Sequence, residues 1–205
     1  CCTFQSEEIG QGMAELEKRQ RAWVLSSWQI VVDRYPKLGE TIVASTAPYD
    51  FRGFLGMRNF TLKTEAGELL SYANSIWTNI DTETGLPARL TEEDTRGYVL
   101  DEKLEMDYAS RKIALPEGMV KGEPFAIQKH HLDTHHHVNN CQYIRMAADY
   151  LPEGFAIYQM RAEYKKQALL GDVFYPSVKT EENKITVALS TEAGEPYAIV
   201  EFTMK

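Results

Sequence analysis

The sequence contains no apolar run that approaches the ~20 residues needed for a membrane-spanning helix. It is also poor in cysteine, since only Cys1, Cys2 and Cys141 occur. An adjacent pair with one distant third residue is a weak basis for a disulfide framework, so a reducing environment is favoured. The two absences predict a chain without a membrane span, located by default in the cytoplasm.

Positive charge is scarce as well. Lysine and arginine number 22 against 30 acidic residues, which leaves a net charge of −8 and argues against a general nucleic-acid binder. An acidic partner would therefore have to dock on a local basic patch. The length of 205 residues suits one compact domain or two small ones.

The chain begins with cysteine rather than methionine, and no basic, apolar signal segment precedes it. Its first stretch, "CCTFQSEEIGQGMAELEKRQ", has a helical pattern. The residues that this pattern places on one face are Cys2, Ile9, Met13 and Leu16. We expect a helix here and expect that the natural beginning of the protein is missing.

The pentapeptide "TEAGE" occurs twice, at 64–68 and 191–195. Each copy follows two strand-like runs joined by a turn that ends in glycine and an acidic residue, and each precedes an alternating strand. This agreement indicates duplication of one unit. In the second copy, strands are predicted near 155–166, 171–180, 184–191 and 196–204, with "TEAGE" as a hairpin turn.

A helix is predicted from about Asn140, with Cys141, Ile144, Ala148 and Leu151 as its apolar stripe and Pro152 as its stop. The preceding "PFAIQKHHLD" resembles a strand, whose counterpart in the first unit is absent. One helix followed by an antiparallel sheet predicts an α+β unit. The boundaries are 1–82 for the first unit, 83–123 for a structured linker with a short helix after Thr91, and 124–205 for the second unit.

All five histidines lie in "HHLDTHHHVNNCQYI", which spans residues 130–144. If the chain is extended before the helix, Asp133, His135 and His137 share one face and His136 faces the other way. Asparagines at a helix start cap its N–H groups, and those that stay free can hold an oxyanion. A histidine, a carboxylate and a helix start are the groups that acyl chemistry requires.

Metal binding is the alternative interpretation of a histidine-rich tract. His135 and His137 could chelate, but H-E-x-x-H is absent and no cysteine pair has zinc spacing, so no metal site and no cofactor are predicted. We expect His130, His131 and His136 to be solvated or to pack structurally.

The stretch "LDTHHHVNNCQYI", followed about 20 residues later by "EYKKQALLGD", resembles the acyl-ACP thioesterases of plants and bacteria. The resemblance implies two tandem hotdog units, each a long helix wrapped by an antiparallel sheet, with the first strand of unit one missing. Asp133 and His137 match the family signature. Four further positions match it too: Val138, Asn139, Asn140 and Tyr143.

Two positions depart from the family pattern. His135 stands where the signature has asparagine, and Gln167 stands where the plant enzymes carry an acidic residue. Glutamine cannot act as a base, although it can hold a water molecule. The catalytic candidates are therefore Asp133, His135, His137 and Gln167, and the candidates for the oxyanion site at the helix start are Val138, Asn139 and Asn140.

The resemblance implies hydrolysis of the thioester of fatty acyl chains on acyl carrier protein. The oligomeric state, monomer or homodimer, stays open. The alternatives are a hotdog 3-hydroxyacyl dehydratase and an impaired variant that only binds acyl carriers. Cys141 is expected to be a buried packing thiol rather than a nucleophile.

Two further sets of residues follow from this expectation. The apolar residues that would line a slot for the acyl tail lie in the first unit: Met13, Trp28, Ile30, Phe54, Leu55, Met57 and Phe60. The cations that would dock an acidic carrier are Arg145, Arg161, Lys165 and Lys166 in the second unit, with Arg52 and Arg58 in the first.

Overall fold

A computed structural model of the chain describes residues 2–205. The chain divides into two compact units, with the boundary between Ala109 and Ser110. Cys1 lies outside the described residues, and the other two cysteines, Cys2 and Cys141, are free thiols. Every helix in the described part of the chain is too short or too polar to span a bilayer.

The first unit begins with two short helices, α1 (Cys2–Glu8) and α2 (Met13–Lys18), rather than one. The prediction of one continuous amphipathic helix is wrong because the backbone turns at Gly10, whose φ of +72° is left-handed. Gln11 is buried in this turn, and its side-chain amide donates to the carbonyls of Glu93 and Arg96 at 3.0 and 3.1 Å. The turn is therefore anchored to the segment that follows the sheet.

Four antiparallel strands form the sheet of the first unit: β1 (Arg21–Val32), β2 (Ile42–Arg52), β3 (Leu55–Thr64) and β4 (Leu69–Asp81). Their order is β2-β3-β4-β1. A short helix, α3 (Glu92–Thr95), follows, as predicted after Thr91. Thr91 and Asp94 close its first turn as a reciprocal capping box.

The second unit has two short strands, β5 (Val120–Lys121) and β6 (Phe125–Ala126), and one helix, α4 (Asn140–Ala148). Four longer strands follow: β7 (Gln159–Tyr164), β8 (Val173–Thr180), β9 (Lys184–Ser190) and β10 (Pro196–Thr203). The sheet order is β7-β10-β9-β8-β5, and β6 pairs with the β8 strand as well. The predicted strands therefore formed within a few residues of their expected bounds.

The two copies of "TEAGE" adopt the same turn. In each, the threonine N–H donates to the carbonyl of the closing glutamate at 2.9 Å, and the glycine N–H donates to the threonine carbonyl at 2.9 Å. In each, the threonine hydroxyl also accepts from the glutamate N–H. The predicted hairpin turn is confirmed in both units.

Helix α4 packs on β9 and β10 through Tyr143, Met146 and Ala147, which are buried. The predicted stripe was wrong in its face, since Cys141 is exposed. The buried face is set by the ring of Tyr143, which stacks on Phe174 with centroids 5.6 Å apart. Burial of a large ring outweighs burial of one small thiol, because the stabilisation grows with the apolar area removed from water.

The linker predicted at 83–123 is held by each unit separately. In the first unit, the N–H groups of Leu104 and Ala109 donate to side chains of Asn59 and Gln29. In the second, Arg161 donates to the carbonyls of Ser110 and Lys112, and Glu163 accepts from the N–H of Ile113. Backbone groups of the linker thus find side-chain partners on both units.

Candidate functional site

The histidine-rich stretch folds as a tight loop and not as an extended strand. Residues 129–131 form one 3₁₀ turn, and Leu132 then pairs antiparallel with Val138 across the loop. His136 adopts a left-handed φ of +61°, which lets the chain reverse. The prediction that "PFAIQKHHLD" is a strand holds only for Phe125–Ala126. The premise of alternating faces for Asp133, His135 and His137 is therefore wrong.

The Asp133 carboxylate is the internal support of this loop. Its Oδ1 atom accepts the backbone N–H of His135 at 2.8 Å and that of His137 at 3.3 Å. The Asp133 N–H donates to the carbonyl of His137 at 2.8 Å. Aspartate commonly closes turns in this way, because its short side chain reaches N–H groups two residues ahead. Asp133 thus fixes the backbone that carries His137.

Helix α4 begins directly after the loop. Asn139 caps it, since its Oδ1 accepts the Cys141 N–H at 2.9 Å while its carbonyl accepts the Gln142 N–H at 2.8 Å. Among the described residues, none accepts the N–H of Asn140. The donor that this helix start leaves for a ligand oxygen is therefore the Asn140 N–H, with the helix dipole behind it.

Tyr164 supports the same turn from the neighbouring strand β7. Its hydroxyl donates to the carbonyl of Asn140 at 3.0 Å. Burial raises the pKa of Tyr164 well above its usual range, so the hydroxyl stays protonated and able to donate. The sequence reasoning missed this residue, because nothing in the pattern of β7 singles out one tyrosine as a partner of a helix 24 residues away.

The segment containing Gln167 runs beside the loop. The Val138 N–H donates to the Ala168 carbonyl at 2.9 Å, and His137 pairs with Leu169. The Ala168 N–H donates in turn to the Tyr143 hydroxyl at 2.9 Å. Burial raises the pKa of Tyr143 to about 12. Ala168 therefore links α4 to the loop, and exposed Gln167 directly precedes Ala168 in the chain.

The remaining histidines have structural positions. The rings of His130 and His131 lie 4.1 Å apart, and Nδ1 of His131 accepts the Gln128 N–H at 3.0 Å. Burial, aided by the charges of His130 and Arg145, lowers the pKa of His131. Within residues 2–205, no three histidine, cysteine or acidic side chains come close enough together to hold a metal ion.

The predicted tail-lining residues do not form one set. Trp28, Ile30 and Phe60 share one face of the first sheet, and the rings of Trp28 and Phe60 lie 4.8 Å apart. Met57 pairs with Ile76 and lies three residues before Phe60 on β3. Because side chains alternate along a strand, Met57 points to the opposite face from Phe60. Met13 and Phe54 are 53% and 42% exposed.

The predicted docking cations also divide. Arg161 is held by Glu201 at 2.8 Å and by two linker carbonyls, so its charge is committed within the second unit. Lys165 and Lys166 are exposed, although Lys165 lies 3.4 Å from Glu163 and Lys166 lies over the ring of Tyr197. Arg145 on α4 is exposed as well.

Comparison with known proteins gives two family matches. The model of the acyl-ACP thioesterase N-terminal domain matches residues 2–98, and that of the C-terminal domain matches residues 118–203. A chloroplastic palmitoyl-acyl carrier protein thioesterase from Gossypium hirsutum is 27% identical over 176 residues, which cover 78% of this chain and 42% of that protein. The chain thus spans about two fifths of the length of this curated relative.

Solved structures resemble the whole chain. An acyl-ACP thioesterase from Bacteroides thetaiotaomicron has a TM-score of 0.88 at 24% identity and is covered over 85% of its length. The 12:0-ACP thioesterase from Umbellularia californica has a TM-score of 0.85 at 17% identity, also with 85% covered. Both comparisons cover 100% of this chain, and they confirm the predicted α+β hotdog fold.

Proposed function

The chain belongs to the acyl-ACP thioesterase family, and from this membership we propose that it hydrolyses the thioester of a fatty acyl chain carried on acyl carrier protein. The products are the free fatty acid and the carrier thiol, and the reaction ends chain elongation. The observation that carries the proposal is the family match over both units, together with the arrangement of Asp133, His137 and the start of α4.

In the proposed reaction, the imidazole of His137 takes a proton from water as the water oxygen bonds to the thioester carbonyl carbon. The carbonyl oxygen gains negative charge, which the Asn140 N–H stabilises as a preorganised donor. The carbon–sulfur bond then breaks, and the proton passes from His137 to the leaving thiolate. Gln167 holds the attacking water through its neutral amide, and Asp133 positions His137 through the loop.

His135 and His136 are exposed on the same loop. His135 stands where the family signature has asparagine, and its N–H is one of the two that Asp133 accepts. Because this contact uses only the backbone, either side chain is compatible with it. We propose that His135 contributes to the reaction through its side chain at the open side of the loop.

The acyl tail is proposed to pack on the face of the first sheet that carries Trp28, Ile30 and Phe60. Carrier protein is proposed to dock electrostatically on the second unit, through Arg145, Lys165 and Lys166. Arg161 is left out, since its contacts are internal. Higher salt should weaken this docking, because exposed charges are screened within about 10 Å at 0.1 M salt.

The decisive experiment measures thiol release from carrier protein loaded with acyl chains of several lengths. The protein is compared with His135→Asn and with His136→Asn, which changes the neighbouring exposed histidine as a control. Activity of the unchanged protein supports hydrolysis and gives its length preference. Activity of His135→Asn alone would show an impaired form in which the asparagine matters chemically.

Thiol release by none of the three proteins would overturn the proposal. Conversion of a 3-hydroxyacyl thioester to the enoyl product, without release of thiol, would then identify the dehydratase instead. The family match favours hydrolysis over dehydration.

A further inference from the structure

One buried arginine in the first unit has no role in the proposed reaction. Arg58 lies on β3 and is 7% exposed. Ser75 on β4 pairs with Arg58 of β3 on one side and with Trp28 of β1 on the other. Phe60 follows Arg58 two residues later on β3. Arg58 therefore shares a sheet face with the two aromatic residues proposed to contact the acyl tail.

Within residues 2–205, the guanidinium contacts only neutral groups. Its Nη1 donates to Gln5 Oε1 at 2.6 Å and to Thr46 Oγ1 at 3.0 Å, and its carbon lies 5.9 Å from the centre of the Tyr98 ring. Among residues 2–205, no carboxylate lies within ion-pair distance of Arg58. No oxygen or nitrogen of these residues accepts a hydrogen bond from its Nε or Nη2 atom. Three N–H bonds of the guanidinium are left for a ligand, and two of them, on Nε and Nη2, form one edge.

Other poorly exposed arginines of the chain do have an acid. Arg19 faces Asp94 at 3.1 Å, and Arg161 faces Glu201 at 2.8 Å. Burying a guanidinium without an anion is unfavourable, because water is lost and no opposite charge replaces it. Burial indeed lowers the pKa of Arg58, against weaker opposing effects of Cys2 and Tyr98. Arginine nevertheless remains charged in proteins, so this positive charge is buried without a carboxylate partner among residues 2–205.

We propose that Arg58 is a carboxylate-binding subsite in the first unit, which takes the carboxylate end of an alkyl chain. The Nε and Nη2 edge suits the two oxygens of one carboxylate, as in bidentate pairs. Trp28 and Phe60 flank it with apolar surface for the adjoining methylene groups. The carboxylate can come from a free fatty acid or from the far end of an acyl chain that is a dicarboxylic half-thioester; the second source rests on the proposed hydrolysis.

The first test measures binding of octanoate and of octanol by calorimetry, with no turnover involved. The control variant is Arg52→Gln, an exposed arginine on β2 paired with Asp50. We expect octanoate to bind the protein and the control about tenfold more tightly than octanol does, a difference of about 1.4 kcal/mol, since only the carboxylate can form a charged bidentate contact with the guanidinium. In Arg58→Gln this preference should disappear.

Equal binding of the acid and the alcohol by the unchanged protein would overturn the proposal, as would an acid preference that survives in folded Arg58→Gln. If Arg58→Gln does not fold by circular dichroism, Arg58→Lys replaces it. That variant keeps the charge but cannot make a bidentate contact, so the acid preference should fall without vanishing. An unchanged preference in Arg58→Lys would count against the guanidinium subsite.

The second test separates the two sources. Carrier protein is loaded either with octanoyl or with 7-carboxyheptanoyl, which has the same length and a terminal carboxylate. A lower KM for the carboxylated chain, lost in Arg58→Gln, assigns the subsite to substrate. An octanoate preference in binding without this KM advantage assigns it to free fatty acid. Hydrolysis of the octanoyl carrier tests the proposed function by itself, and its failure would leave the binding result standing.

Discussion

Asp133 and His137 are joined through the backbone in both directions: Oδ1 of Asp133 accepts the His137 N–H at 3.3 Å, and the His137 carbonyl accepts the Asp133 N–H at 2.8 Å. The carboxylate therefore closes the loop around the proposed catalytic histidine. This geometry requires an oxygen acceptor at position 133 and makes no use of its charge on the imidazole.

The first prediction separates the acceptor from the charge. Asp133→Asn keeps an oxygen acceptor and should retain thioesterase activity within about threefold, whereas Asp133→Ala loses the two N–H contacts and should lower kcat/KM about tenfold or more. Steady-state kinetics with acyl carrier protein, with thermal unfolding as the check on folding, measures both. An Asn variant as inactive as the Ala variant would assign the carboxylate charge to the chemistry.

The second prediction concerns Cys141, which is exposed near the start of α4 rather than buried. Its thiol should react with iodoacetamide in the folded protein, and Cys141→Ser should keep at least about half of the activity, because its backbone N–H contact with Asn139 does not involve sulfur. Mass spectrometry of the labelled protein and thiol-release rates test the two parts. Loss of turnover in a folded Cys141→Ser protein would point to a cysteine nucleophile.

Much of the sheet could be predicted from the sequence, because alternation and turn residues act locally. The two "TEAGE" turns and the strands around them formed as expected. Helix periodicity was less reliable. It predicted one apolar stripe across Gly10, where the backbone in fact turns. On α4 it predicted that Cys141 faces the core, whereas Tyr143 is the buried residue.

The helix start and the loop of the candidate site were predictable from the sequence, whereas their geometry was not. The segment around His137 and Asn139 was found because a helix start after a histidine is a local pattern. Tyr164 was missed, and Arg58 was expected among the docking cations although the structure buries it, since their contacts at Asn140 and Gln5 join residues 24 and 53 positions apart. Asp133 was assigned to the right loop, but its choice of backbone N–H groups depends on the left-handed turn at His136.

The third prediction is a pH dependence in the first unit. Hydrogen bonds from Arg34 lower the pKa of Glu40 from 4.5 to about 2, and Arg34 also holds Glu68 in the "TEAGE" turn. Because the folded pKa lies below the unfolded one, this contribution to stability is fully present above about pH 4.5 and is lost as the pH falls towards 2. Urea unfolding of the protein and of Glu40→Gln should therefore differ at pH 7 and converge towards pH 2.

The control for the Arg34–Glu40 pair is Glu65→Gln. Glu65 lies in the same "TEAGE" turn as Glu68, and its carboxylate has no ion pair among the described residues. Its unfolding midpoint should track that of the unchanged protein throughout. A gap between Glu40→Gln and the unchanged protein that stays constant down to pH 2 would contradict the assignment. High salt should narrow the gap, because the ion pair is only partly buried.

The fourth prediction tests the duplication through its two turns. Gly67 and Gly194 have φ values of +90° and +85°, and an added Cβ would meet no atom within 4 Å at either position. Alanine at each position should therefore lower the free energy of unfolding by about 1–2 kcal/mol, through backbone conformation alone and by the same amount in both units. Asparagine tolerates the left-handed region, so Gly67→Asn and Gly194→Asn should cost less than the alanine variants. Denaturant unfolding of the four variants measures this order, and a large difference between the two alanine variants would mean that the repeated turns no longer share one conformational requirement.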